Sequence, residues 1–298
     1  MKIIIAGSTG LVGSALIPVL RMQGHEVMRL VRSRPEAPDE IPWNPAERQL
    51  PVARIEGADA IINLAGENVG AGRWTKARRV RIRASRRDST ATLVSAMNAL
   101  ARKPGVFVNA SAVGFYGDRG DEMLTEESGP GPGFLAEVCQ EWEKEAEAAM
   151  QAGVRTVRLR FGVILSPEGG ALAKMLPVFR LGLGGRLGSG KQWMSWVSLP
   201  DALGAIGHAL VHSACAGPVN VVAPGSATNA QFTAQLGAAL RRPALLPVPA
   251  VALRLLFGRM ADEALLASTR AVPRALEQAG YVFQHPELAM ALEDLRAG

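Results

Sequence analysis

The sequence is short of several things, and each shortage excludes something. Of 298 residues only two are cysteine, Cys139 and Cys215. Two thiols in a chain this size make neither a disulfide framework nor a zinc spacing. Long apolar runs are missing as well. The longest, 243–257, is broken by three prolines and an arginine, short of the ~18 apolar residues a membrane helix needs. The opening run of MKIIIAGSTG is too short for a signal peptide and leads straight into glycines. These features predict a cytoplasmic chain with no membrane partner. No internal repeat of solenoid length occurs.

Lysine is scarce too. Six of the 33 basic residues are lysine, which leaves 27 arginines, and the net charge is +6. Arginine presents a planar fork suited to phosphate. A basic balance fits phosphorylated ligands or nucleic acid, and an arginine-rich proteome gives the same balance. With 48% hydrophobic and 20% charged residues the composition is that of a soluble globular protein. At ~150 residues per domain, one or two domains are expected.

The chain opens as strand, loop and helix. Residues 2–6 form an apolar β-branched run, as in a strand buried on both faces. From Leu11 onward Leu11, Val12, Ala15, Leu16, Val19 and Leu20 recur at helical spacing, and Gly24 marks the stop. A second strand follows at 27–31. The alternation continues with strands at 58–64, 106–110 and 156–165, and with helices at 90–100 and 134–150. Repeated βα units imply a parallel sheet with helices on both faces. Beyond Leu165 glycines cluster. A strand at 193–197, a helix at 199–211, a strand at 219–222 and a helix at 230–240 are expected there. The predicted fold is α/β, a Rossmann-type doubly wound parallel sheet over 1–222. A smaller, mostly helical C-terminal lobe over 223–298 covers the substrate side.

Four motifs carry chemistry. The first is Gly7-Ser8-Thr9-Gly10-Leu11-Val12-Gly13, between a strand and a helix. Glycines there let the backbone approach a pyrophosphate at the positive end of the helix. The second is the end of the second strand, Arg32-Ser33-Arg34. A site for NAD keeps an acid there to bind the ribose hydroxyl; an arginine instead suits a 2′-phosphate. NADP(H) is therefore the expected cofactor. The third is Asn63-Leu64-Ala65-Gly66 at a strand's carboxyl end, where open α/β sheets bind ligands. The fourth is Ser111 with Tyr116, directly after a strand. A serine hydroxyl and a phenol are the groups a carbonyl/alcohol redox site uses. They are the candidate catalytic pair.

Other features are read more plainly. The basic run from Arg73 to Arg87 contains no acid. It is read as a solvated helix face rather than a nucleic-acid patch, with one or two arginines free to turn inward. His208 and His212 have a metal-like spacing but no third ligand, so no metal is expected.

Together the 7–13 loop, the 63–66 stretch and Ser111 to Asp118 resemble the extended short-chain dehydrogenase/reductases, the nucleotide-sugar epimerase and dehydratase group. Ala65-Gly66-Glu67-Asn68, Arg73-Trp74, Ser85-Arg86, Trp142-Glu143, Ser195-Trp196 and Phe257-Gly258 narrow the match. They resemble an atypical subfamily of epimerase family proteins with a small C-terminal domain of unknown function. The resemblance covers essentially the whole chain. It implies a Rossmann core and NADP binding through Arg32, Ser33 and Arg86, and it names no substrate. Val163 completes the candidate cofactor contacts.

One departure matters. The larger group carries Tyr-x-x-x-Lys on the helix after the serine. The corresponding positions here are Leu135 and Cys139, or Phe134 and Val138 in the neighbouring frame. Without the lysine, a phenol near pKa ~10 is a poor base at neutral pH. Arg160 and Lys144 are activating cations for Tyr116 only by elimination. The leading expectation is an NADP(H)-dependent oxidoreductase or epimerase-like enzyme acting on a small carbonyl, alcohol or nucleotide-sugar substrate. The alternative is a non-catalytic NADP(H)-binding sensor or scaffold. A homodimer is expected only by analogy with the fold.

Overall fold

The computed structural model describes residues 1–293. In chain order the elements are β1 (Lys2–Ala6), α1 (Leu11–Met22), β2 (Glu26–Val31), β3 (Glu40–Pro42), α2 (Val52–Ile55), β4 (Ala60–Asn63), α3 (Lys76–Ala99) and β5 (Val106–Ala112). Then come β6 (Met123–Leu124), α4 (Phe134–Gln151), β7 (Arg155–Phe161), β8 (Val163–Ser166), α5 (Gly170–Arg180), β9 (Trp193–Met194), β10 (Trp196–Ser198), α6 (Leu199–Val211) and β11 (Gly217–Val221). The chain continues through β12 (Ala227–Thr228), α7 (Asn229–Ala239), α8 (Ala250–Phe257), β13 (Arg270–Ala271), α9 (Arg274–Gln278) and α10 (Leu288–Glu293).

Seven parallel strands form the central sheet in the order β11-β7-β5-β4-β1-β2-β3. The winding reverses between β1 and β4, and ligands of such sheets bind at that switch point. Side chains of β1 alternate between the two faces, as strand geometry requires. Ile3 and Ile5 join a core with Leu16 and Leu20 of α1 and Ile206 of α6. Ile4 and Ala6 join the opposite core with Leu93 and Met97 of α3 and Ala146 of α4. Both faces of the sheet are thus covered, as the apolar strands predict.

Two predicted strands prove to be broken. The expected strand at 156–165 is two, β7 and β8. β7 lies in the main sheet, while β8 leaves it to pair with β10. The break falls at Gly162, where a Cβ would stand 2.6 Å from the Ser195 carbonyl oxygen. Only glycine permits that crossing. The strand at 193–197 breaks at Ser195 for a related reason. Its hydroxyl donates to the Thr269 carbonyl at 2.8 Å and accepts from the Ala271 amide at 2.9 Å. β9 therefore pairs with β12, and β10 with β8. A third core joins α5, α7 and α10 around Trp196 and Phe232. None of the described helices is long and apolar enough to cross a membrane.

Candidate functional site

The carboxyl ends of β1, β2, β4 and β5 lie side by side along one edge of the parallel sheet, where such sheets form their ligand crevice. The first loop there divides labour among its glycines. Gly7 sits at φ +82°, and a Cβ on it would lie 2.5 Å from the Leu64 carbonyl carbon. A Cβ on Gly13 would lie 2.3 Å from the Gly7 oxygen. Both glycines exist to let backbone pack on backbone. Gly10 differs: its nearest neighbour would be the Gly7 oxygen at 3.5 Å, and beyond that is open space. Gly10 is also the N-cap of α1, and no side chain caps the helix. The first amides of α1 are therefore left for an anion. Ser8 is buried and Thr9 exposed. The Leu11 side chain stands against Gly169 and Gly170, and Val12 packs on the core.

At the end of β2, Arg32 and Ser33 are exposed. The nearby acids are engaged elsewhere. Asp39 accepts from Arg29 Nε at 2.7 Å and from Arg21 Nη2 at 2.5 Å. Chiefly through the Arg29 bond, its carboxyl is held down at about 2. Glu40 pairs with Arg29 at 3.1 Å. Arg32 pairs with no carboxylate among the described residues.

At the end of β4, Asn63 is fully buried. Its amide donates to Thr90 Oγ1 at 3.0 Å and Asn109 Oδ1 at 2.8 Å. Its oxygen accepts from the Ala65 amide at 3.2 Å, which shapes the Leu64-Ala65-Gly66 turn. Asn63 thus acts on the crevice through the backbone it holds. Gly66 faces Arg86, whose Cζ would be 3.3 Å from a Cβ there. Arg86 is the member of the basic run that turns inward. Its guanidinium lies 5.0 Å over the Trp142 ring and donates to the carbonyls of Glu67 and Ile82. Burial lowers its pKa. The side chain is half-buried, and among the described residues it bonds carbonyls rather than carboxylates. Val163 is half-buried, and its amide donates to the Ser195 carbonyl at 2.8 Å.

Ser111 and Tyr116 meet in one network, and it faces inward. Ser111 Oγ donates to Glu143 Oε1 at 2.7 Å. Arg160 clasps both oxygens of Glu143 at 2.8 Å. Arg160 Nη1 donates to the Tyr116 oxygen at 2.9 Å. That hydroxyl lies within bonding distance of the Thr125 carbonyl and Asn220 Oδ1. Tyr116 is 0% exposed and Ser111 3%. Burial pushes the Tyr116 phenol up, against the opposing pull of Arg160. Burial by itself would lower the pKa of Arg160, but the Glu143 bonds leave it raised. Lys144 is exposed on α4.

Facing this turn from α4 are Leu135 and Cys139, close to Gly114. Burial raises the Cys139 thiol to about 11, so it stays protonated. Neither side chain is a base at neutral pH. In the sequence Glu143 stands out only as half of Trp142-Glu143, with no role attached, and Asn220 belongs to no spaced motif. The one visible signal is the alternation of arginines with apolar residues along β7. His208 and His212 stack at 3.7 Å, and the described residues include no cluster of three metal-binding side chains.

Comparison with known proteins fits this geometry. Residues 3–233 match the NAD dependent epimerase/dehydratase family, and 248–295 match a domain of unknown function. An epimerase family protein of Mycobacterium bovis is 44% identical over 290 residues, covering 97% of this chain and 95% of that one. The crystal structure of the human epimerase family protein SDR39U1 with NADPH superposes with a TM-score of 0.91 at 35% identity, covering 100% of both chains. A UDP-N-acetylglucosamine 4-epimerase from Bacillus cereus shares the fold at TM-score 0.78 and 18% identity, again over 100% of both chains.

Proposed function

Because the chain belongs to the NAD dependent epimerase/dehydratase family, we propose that it binds NADP(H) and acts as an oxidoreductase or epimerase-like enzyme on a small carbonyl, alcohol or nucleotide-sugar substrate. The observation that carries the cofactor choice is Arg32. It stands without a carboxylate partner among the described residues, while Asp39 and Glu40 are spent on Arg29. A 2′-phosphate would take the Arg32 fork and the Ser33 hydroxyl. The pyrophosphate would lie over Gly10 at the first amides of α1, flanked by Ser8, Thr9, Leu11 and Val12. The 63–66 turn and Arg86 would border the nucleoside halves, and Val163 the far wall. When bound, the nicotinamide supplies hydride exchange. The human relative, crystallised with NADPH, supports the same choice.

Titrating wild type with NADPH and with NADH tests this reading. NADPH should bind at least about 10-fold more tightly. Equal affinities would overturn it.

Ser111 and Tyr116 are the hydroxyls we assign to the chemistry. Their engagement with Glu143, Arg160 and Asn220 also supports a second reading, an NADP(H)-binding sensor or scaffold without turnover. A screen of NADPH oxidation against aldehydes, ketones and nucleotide sugars separates the two. Turnover lost in Tyr116→Phe by ~10²–10⁴-fold supports the enzyme. Tight NADPH binding with no turnover supports the sensor.

A further inference from the structure

Outside the cofactor crevice, a second cation-rich cleft lies along α3. Lys76, Arg79, Arg83 and Arg87 line it on one stripe of the helix. At ~1.5 Å rise per residue the stripe is ~16 Å long. Val80 and Ala84 lie between the cations, and Phe134 and Glu137 of α4 line the cleft with Arg259. Its volume is about 330 Å³, in the range of small-molecule sites.

Charge in the cleft is one-sided. The lining holds five cations and one carboxylate, and Arg83 already takes that carboxylate at 2.7 Å. Arg87 pairs with Asp88, and Arg259 with Glu263. Lys76 and Arg79 pair with no carboxylate among the described residues. The Nε donors of Arg79 and Arg83 are buried without a hydrogen-bond partner; that of Arg83 stands 3.4 Å from Glu141. A buried donor left unmade is costly.

Glu67 lies 3.8 Å from Arg78 and 3.9 Å from Arg81, but among the described residues no carboxylate answers Lys76 and Arg79. Seven cations and no acid lie between Lys76 and Arg87, and like charges three and four residues apart repel. Three of them, Lys76, Arg78 and Arg79, crowd the first turn, where the helix dipole favours acids.

We propose that this cleft binds a small phosphorylated organic anion, separately from the cofactor. The fork of Arg79, with the Lys76 ammonium beside it, takes the phosphate, because guanidinium geometry matches its oxygens and neither cation pairs with a carboxylate among the described residues. Val80 and Ala84 take the organic part. A cleft of this volume between two helices fits a small molecule. Nucleic acid would need exposed aromatics for stacking, and the one aromatic in the lining, Phe134, is buried.

Phenyl phosphate is the probe, titrated calorimetrically into the full chain with NADPH saturating and with inorganic phosphate as control. Site variants assign the signal to this cleft, whatever the outcome of the cofactor titrations. We expect one saturable site, tighter for phenyl phosphate than for phosphate and weakened by salt. Arg79→Gln should weaken it ~10-fold or more. Val80→Glu removes no cation and should abolish it by placing a carboxylate in the cleft. Both variants should melt as wild type does. No saturable heat overturns the proposal, as does equal affinity in wild type and both variants. A dimer dissociated by Val80→Glu, with no phenyl phosphate heat, would assign the cleft to a second copy of the chain and overturn it as well.

Discussion

At the carboxyl end of β1 polar groups are left over; at the carboxyl end of β5 they are used up. The first region leaves α1 uncapped over open space at Gly10, and at the neighbouring end of β2 Arg32 pairs with no carboxylate among the described residues, Asp39 and Glu40 being taken by Arg29. In the second, Ser111, Glu143, Arg160, Tyr116 and Asn220 bond one another in a closed chain. Leftover donors at a crevice need a ligand to complete them. A closed network needs none, and it holds its members still. The contrast separates a surface prepared for a cofactor from a turn fixed as rigidly as the core.

The largest expected effect tests the open region. Gly10→Val should abolish NADPH binding, because its side chain would fill the space over the α1 amides. The melting temperature should stay near that of wild type, since only the Gly7 oxygen lies near the new Cβ. Gly7→Val should instead destabilise the fold, its Cβ meeting backbone at 2.5 Å. Calorimetry and thermal melts read both. Undiminished binding in Gly10→Val would erase the distinction between the regions.

The closed region should answer in stability. Glu143→Ala strands the buried Arg160 guanidinium, and breaking such a pair costs about 3–5 kcal/mol. Denaturant melts measure it. A loss under ~1 kcal/mol would mean that the network is not closed but hydrated.

Next in size is Arg32→Ala. Loss of a charge-assisted phosphate contact costs about 1.5–3 kcal/mol, or roughly 10- to 150-fold in NADPH affinity. NADH affinity should hardly move. A parallel loss for both cofactors would place Arg32 elsewhere than at the 2′-phosphate.

The smallest effect concerns the acids beside Arg32. Asp39 has its pKa lowered from 3.8 to about 2. A lowered folded-state pKa contributes stability that is present above 3.8 and lost as pH falls through about 2. Because the Arg21 partner is largely exposed, ~1 kcal/mol is expected rather than the full linkage value. Acid melts of wild type against Asp39→Asn should show the difference in that window. Identical acid profiles would show that Asp39 is not held by its arginines.

Legibility followed range along the chain. The glycine loop between β1 and α1 and the run of βα units could be read because each is local. A glycine loop between strand and helix has one main use, and β1 is apolar on both faces because helices cover both. The strand breaks at Gly162 and Ser195 could not be read. The first depends on a carbonyl 33 residues away in sequence, the second on Thr269 and Ala271. The basic run shows the same divide. Its composition predicts a charged helix, but helical phase against Trp142 turns Arg86 into the crevice, and the approach of α4 makes a cleft of Lys76 to Arg87.

By itself the sequence determined the parallel α/β sheet and the glycine loop at its switch point. Local spacing and strand polarity suffice for these. Only the tertiary structure decided which hydroxyls are free. Ser111 and Tyr116 sit where a redox pair could stand, yet their bonds go to Glu143 and Asn220, brought from α4 and β11 by folding. Hydrogen bonding depends on who arrives within ~3 Å, and no spacing in the chain encodes that arrival.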